Sequence, residues 1–185
     1  MLFRSRYAEA LYNRALAYLY MGRVEAGTDA RSYLQIKGWQ DPQSPYIALI
    51  GSLGYRKGGQ DAEAQRLLAE AAANCNPQAW PYAIIRYLRR ELPSGALLAA
   101  TANADQQTEA RTYLGMDLAR SGNRDQALPH LQWVRDNGNK GFVEYRFALA
   151  ELRHLQSGEP AAPAPATSDR PADAQQAGYG VPRQE

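Results

Sequence analysis

Residues 111–134 read RTYLGMDLARSGNRDQALPHLQWV, and this stretch decides the fold class. Leu114 and Leu118, then Ala127, Leu131 and Val134, recur at three- and four-residue steps, the period of a helix with one buried face. Ser121-Gly122-Asn123 interrupts the pattern, and Gly122 is free to take the left-handed backbone that ends a helix. Gly115, lacking a Cβ, leaves room for a neighbouring helix to pack close. Two short amphipathic helices joined by a tight turn are therefore predicted.

Composition points the same way. The chain has 185 residues, 45% of them hydrophobic, enough for one core. Ala and Leu are abundant and β-branched residues sparse, which favours an all-α class. Lys and Arg number 21 against 19 Asp and Glu, and a net charge of +2 is too mild to argue for nucleic acid or an acidic membrane surface. A lone cysteine, Cys75, leaves no internal disulfide and no cysteine-based metal cluster. No apolar run approaches the roughly 20 residues that span a bilayer, so membrane insertion is not expected. Arg4, Arg6, Glu9 and Arg14 interrupt what would be the apolar core of an export signal. As written the chain is expected to be cytoplasmic; an upstream signal sequence would place it in the periplasm or cell envelope.

Helical patterning extends along most of the chain. Helices are predicted over about Ser5 to Tyr20, Val24 to Ile36, Pro45 to Arg56, Asp61 to Asn74, Trp80 to Glu91, Ser94 to Ala100, and Phe142 to Gln156. The first buries Tyr7, Leu11, Ala15 and Tyr18; the fourth Ala64, Leu67, Leu68 and Ala71; the last Phe142, Tyr145, Leu149 and Leu152. Ser94 is the expected N-cap of the sixth helix, and Asn103-Ala104-Asp105 caps the helix that carries Gly115. The last helix has no following partner and reads as a terminal cap. Aligning Gly22, Gly59 and Gly122 puts Tyr18, Tyr55 and Leu118 four residues before each turn, and Gly27, Ala64 and Ala127 five residues after. The glycines lie 37 and 63 residues apart, so a degenerate helix pair is expected between Gln78 and Thr101. From Gly158 onward five of the eleven prolines crowd the last 28 residues, and large apolar side chains nearly vanish. The expected organisation is a helical repeat domain over 1–157 and a disordered Pro/Ala-rich tail over 158–185.

The Leu-Gly, Gly, Ala and large-apolar positions of residues 114–131 resemble a tetratricopeptide (TPR) unit, whose period is about 34 residues. The fold implied is an α-solenoid of TPR-like helix-turn-helix repeats. Residues 78–155 are more specifically similar to the NlpI type of bacterial TPR lipoprotein. The similarity rests on Ala79-Trp80, Glu91-Leu92, Leu97, Thr108-Glu109, Tyr113-Leu114-Gly115, Asn137, Asn139, Phe142-Val143-Glu144, Ala148 and Glu151-Leu152. What this resemblance implies is a non-catalytic, homodimeric adaptor that gathers proteases and peptidoglycan hydrolases. Its lipidated N-terminal cysteine has no counterpart here, so membrane anchoring does not carry over.

In TPR arrays the first helix of each unit lines the concave side. The resemblance places Tyr12, Leu16, Leu19, Tyr20, Leu49, Leu53, Arg56, Lys57, Glu109, Thr112, Met116 and Arg120 there, as a groove for a protein or peptide. Several of these, Leu16 and Leu53 first among them, could equally complete the core. Catalytic and metal candidates are poor. His130 and His154 stand apart, and Cys75 has no His or basic residue beside it in sequence. Gly51-Ser52-Leu53-Gly54 lies within a helix, where small residues serve packing. No cofactor or metal is expected, and the chain is not expected to be an enzyme. Arg86, Arg89 and Arg90 share a helix face beside Tyr87, either a nucleic-acid surface or a solvated face paired with Glu91. Leu2, Phe3, Tyr7, Leu11 and Tyr18 leave the first helix an apolar face with no preceding element, which predicts either a homodimer through the N-terminal helices, the favoured reading, or upstream repeats that cover it.

Overall fold

The structure, a computed structural model, describes residues 2–157, with side chains from Arg6 onward. The 158–185 tail and the side chains of Leu2 and Phe3 lie outside the described residues. The described residues are all-α, without a strand. In chain order they form α1 (Leu2–Tyr20), α2 (Glu25–Lys37), α3 (Ser44–Lys57), α4 (Asp61–Asn74), α5 (Tyr82–Leu88), α6 (Ser94–Ala99), α7 (Ala104–Arg120), α8 (Arg124–Asn137) and α9 (Val143–Ser157). Each helix packs mainly on its neighbour in the chain; α1 also touches α3, α5 touches α7, and α9 lies against both α7 and α8.

Local chemistry explains most boundaries. Pro45 sits in the first turn of α3, where its missing N–H costs nothing. At the start of α7 the Asn103 side chain accepts the N–H of Gln106, while the Gln106 side chain accepts the N–H of Ala102. Ser94 does not cap α6. It is already the first helical residue, and the Pro93 carbonyl accepts the Leu97 N–H without side-chain help. α5 is shorter than its apolar pattern predicts. It starts only after Pro81, which has no N–H to offer, and the chain leaves it at Arg90 with φ +68°.

That departure is a finding of its own. Gly22, Gly59 and Gly122 have φ of +71°, +72° and +76°, and Arg90 joins them. All four N–H groups donate to the carbonyl three residues back: Leu19, Arg56, Ala119 and Tyr87. The next residue in each turn donates to the carbonyl five back, at 2.8–2.9 Å: Arg23 to Tyr18, Gln60 to Tyr55, Glu91 to Arg86, Asn123 to Leu118. The same helix stop thus recurs at 22, 59, 90 and 122. It divides the 63-residue gap almost in half.

Close packing concentrates where small residues fall. A Cβ on Gly115 would sit 2.6 Å from Cδ2 of Leu131, so α8 crosses α7 there. Gly51 faces Ala30 and Gly54 faces Ala26, where added Cβ atoms would come within 2.4 and 2.6 Å. Gly27 likewise receives the ring of Tyr55. α4 buries Ala64, Leu67, Leu68 and Ala71, as its spacing predicts. In α1 and α9 the buried stripe is rotated from the predicted one. α1 buries Ala8, Leu11, Ala15 and Leu19, with Tyr18 half-buried and Tyr7 58% exposed. α9 buries Glu144, Phe147, Ala148 and Leu152, leaving Phe142, Tyr145 and Leu149 half-buried. In both helices alanines take the contact line because they admit the closest approach. One core cluster runs from α1 through α7 and takes in Phe147; a smaller one joins α8 to α9 around Leu131, Val134 and Leu152.

Candidate interaction surface

α9 does more than end the described helices. Lys57 of α3 reaches Glu151 of α9 at 3.3 Å, and Arg153 of α9 donates to the hydroxyl of Tyr20 on α1 at 3.1 Å. With α7 and α8 behind it, α9 therefore spans the side lined by α1, α3 and α7. A cleft opens on each flank. The first, about 680 Å³, lies between α1 and α9 and is bounded by Leu16, Ala17, Tyr20, Met21, Val143, Arg146, Phe147, Leu149 and Arg153, with Asn13 at its edge. The second, about 450 Å³, lies towards α3 and α7; Leu53, Arg56, Lys57, Met116, Arg120, Glu151 and His154 line it. Tyr20 and Met21, 53% and 58% exposed, border both.

The twelve groove positions divide between clefts and core. Leu16 and Tyr20 line the first cleft; Tyr20, Leu53, Arg56, Lys57, Met116 and Arg120 line the second. Leu53, Arg56 and Met116 do so from almost complete burial. Leu19, Leu49 and Thr112 are wholly internal. Leu49 and Leu53 sit on α3, which is apolar around most of its circumference and so is largely enclosed, meeting the second cleft only at its C-terminal end through Leu53, Arg56 and Lys57. Tyr12 is half-buried with its ring 5.7 Å from that of Tyr33. Glu109 is 7% exposed and accepts the indole N–H of Trp80.

Glu109 has a second carboxylate for company. Glu144, at the start of α9, is 5% exposed and accepts the Tyr113 hydroxyl at 3.3 Å. The Thr112 hydroxyl lies 2.8 Å from the Thr108 carbonyl and 3.3 Å from that of Glu144. Asn139 completes the joint, with its backbone N–H on the Thr108 hydroxyl and its side chain on Asp105. Burial, then the nearby charges of Glu144 and Asp105, push Glu109 up to about 7 against the Trp80 hydrogen bond. Burial raises Glu144 as well. The same two carboxylates add to burial in holding Tyr12 up at about 12.

Three elements meet on Asp117. Its carboxylate, 2% exposed, takes Arg56 Nη1 at 3.0 Å, Arg90 Nη1 and Nη2 at 2.6 and 3.0 Å, and the Tyr87 hydroxyl at 3.0 Å. Arg56 also donates to the Leu88 carbonyl at 2.6 Å, and burial lowers its pKa. Arg90 thus leaves the face it was expected to share with Arg86 and Arg89. Arg89 pairs with Glu91, and Arg86 stays exposed. Asp117 was not singled out in the sequence, and Glu144 figured there only among the residues that carry the resemblance. A signal existed for Asp117: it falls three and four residues after the buried Leu114 and Tyr113, on their stripe.

The remaining candidates sit apart. His130 is half-buried, its pKa lowered by burial and by Arg111, whose Nη1 lies 3.3 Å from its ring nitrogen. Burial raises the Cys75 thiol, so it is not a poised thiolate. Among the described residues no three metal-ligating side chains converge, and no helix is long and apolar enough to cross a membrane. No protein-family model matches the chain. No solved structure matches it significantly.

Proposed function

We propose that the chain is a non-catalytic protein–protein interaction adaptor, built as an α-solenoid of TPR-like helix pairs. The repeat reading is supported by the helix stop that recurs at Gly22, Gly59, Arg90 and Gly122, at spacings of 37, 31 and 32 residues. The interaction reading rests on one observation, the pair of clefts flanking α9. Exposed Tyr20 and Met21 border both, and a contiguous apolar surface with a polar edge is characteristic of docking sites. For self-association through α1, Leu11 is covered by the core, whereas Tyr7 and Tyr20 are exposed.

The test is affinity capture from native lysate with amine-reactive cross-linking. A partner in near-stoichiometric yield, bridged at Lys57 in the second cleft and not at Lys37 or Lys140, is the expected result. Robust substrate turnover by the purified chain, lost on replacing one polar residue, would overturn the adaptor reading.

A further inference from the structure

The first cleft carries a charge pattern the second lacks. α9 sends its two carboxylates away from it: Glu144 turns inward to Tyr113, and Glu151 turns to Lys57 across the second cleft. Arg146 and Arg153 are left facing the first cleft, which no acidic side chain lines. Among the described residues neither arginine pairs with a carboxylate, and both are exposed. Being seven residues apart, they stand on one face of α9, separated along its axis by about 10.5 Å. Beside them the cleft lining is largely apolar, with Leu16, Val143, Phe147 and Leu149.

Resting on the adaptor reading above, we propose that this cleft binds a short segment of a partner protein in the polyproline II conformation. In that segment two acidic side chains three residues apart flank large apolar ones. Three residues make one turn of a polyproline II helix and rise about 9 Å, so both acidic side chains leave the same side at close to the axial separation of the arginines. A volume of about 680 Å³ suits a few side chains rather than a whole helix. Paired cations over an apolar floor select for acidic residues chiefly by rejecting basic ones, which would face Arg146 and Arg153 unpaired.

Fluorescence anisotropy with labelled hexapeptides AEFLEA, AKFLKA and AEAAEA tests this on the full chain. AEFLEA is expected to bind at least about tenfold tighter than either control, with an advantage that shrinks as salt rises. The double variant Arg146→Glu, Arg153→Glu changes only exposed side chains, and circular dichroism checks its fold. Its preference is expected to reverse towards AKFLKA. Equal binding of all three peptides, or an unchanged preference in the variant, would overturn the proposal. So would a dimer by sedimentation, or flotation with phosphatidylglycerol vesicles, that disappears in the variant; those outcomes assign the cleft to a second copy or a lipid surface. If the variant still captures the native partner in full yield, the cleft assignment falls while the adaptor reading stands.

Discussion

Arg90 grips the carboxylate of Asp117 with two guanidinium nitrogens, at 2.6 and 3.0 Å, from a backbone in the left-handed region at φ +68°. The three equivalent turns use glycine, which enters that region freely. An arginine there costs about 1 kcal/mol of backbone strain, and the ion pair offsets it. Arg90→Gly removes both terms. Because the Arg90 side chain is half exposed, its pair is worth no more than about 1 kcal/mol. Stability within about 1 kcal/mol of wild type by urea unfolding is the expected outcome. Asp117→Ala is different. It strands the buried guanidinium of Arg56, 1% exposed, at a cost of about 3–5 kcal/mol. Equal costs for the two substitutions would contradict this division of labour.

The α7–α8 crossing makes a packing prediction. Gly115→Leu drives new atoms into Leu131, which is completely buried and already 2.6 Å from where a Cβ would stand. A loss of about 1–3 kcal/mol is expected despite the better helix propensity of leucine. Gly115→Ala should cost less when combined with Leu131→Ala than the two single losses summed, since the neighbours couple. Additive losses would place the crossing elsewhere.

Much of this helical framework was legible in the chain. The turn glycines at 22, 59 and 122 announce themselves because an αL helix stop favours glycine, and the stripe of α4 is unambiguous. Arg90 could not be read as a fourth stop. Its backbone geometry is accompanied by contacts to Asp117, 27 residues away, and local spacing does not encode that. The groove was legible only in part. Which face a helix buries depends on how many neighbours surround it, and α3 is enclosed by α1, α2 and α4, taking Leu49 and Leu53 inward. The place of α9 follows from its packing on α7 and α8, and its reach to α1 and α3 through long-range pairs such as Lys57–Glu151 is something periodicity does not reveal.

Glu109 ties stability to pH. Its folded pKa of about 7 lies above the ordinary carboxylate value of 4.5, so between those values the folded state holds a proton that the unfolded chain releases. The contribution is complete below pH 4.5 and is lost as pH rises through 7, and it amounts to about 3 kcal/mol at most. His130 works in the opposite direction, since its lowered pKa makes acid destabilising. Comparison with Glu109→Gln isolates the carboxylate. Between pH 5 and pH 8 the wild type should lose urea resistance relative to that variant. Parallel curves would show that Glu109 titrates normally.

The most direct measurement of the adaptor claim is site-specific photo-cross-linking in cells that produce the protein. A benzophenone amino acid is placed at Tyr20, which borders both clefts, or at Arg135, an exposed position on α8. The account predicts one discrete protein adduct from Tyr20, absent from Arg135 and diminished by Arg146→Glu with Arg153→Glu. The same adducts from both positions, or none from Tyr20 while a partner cross-links at Arg135, would contradict it.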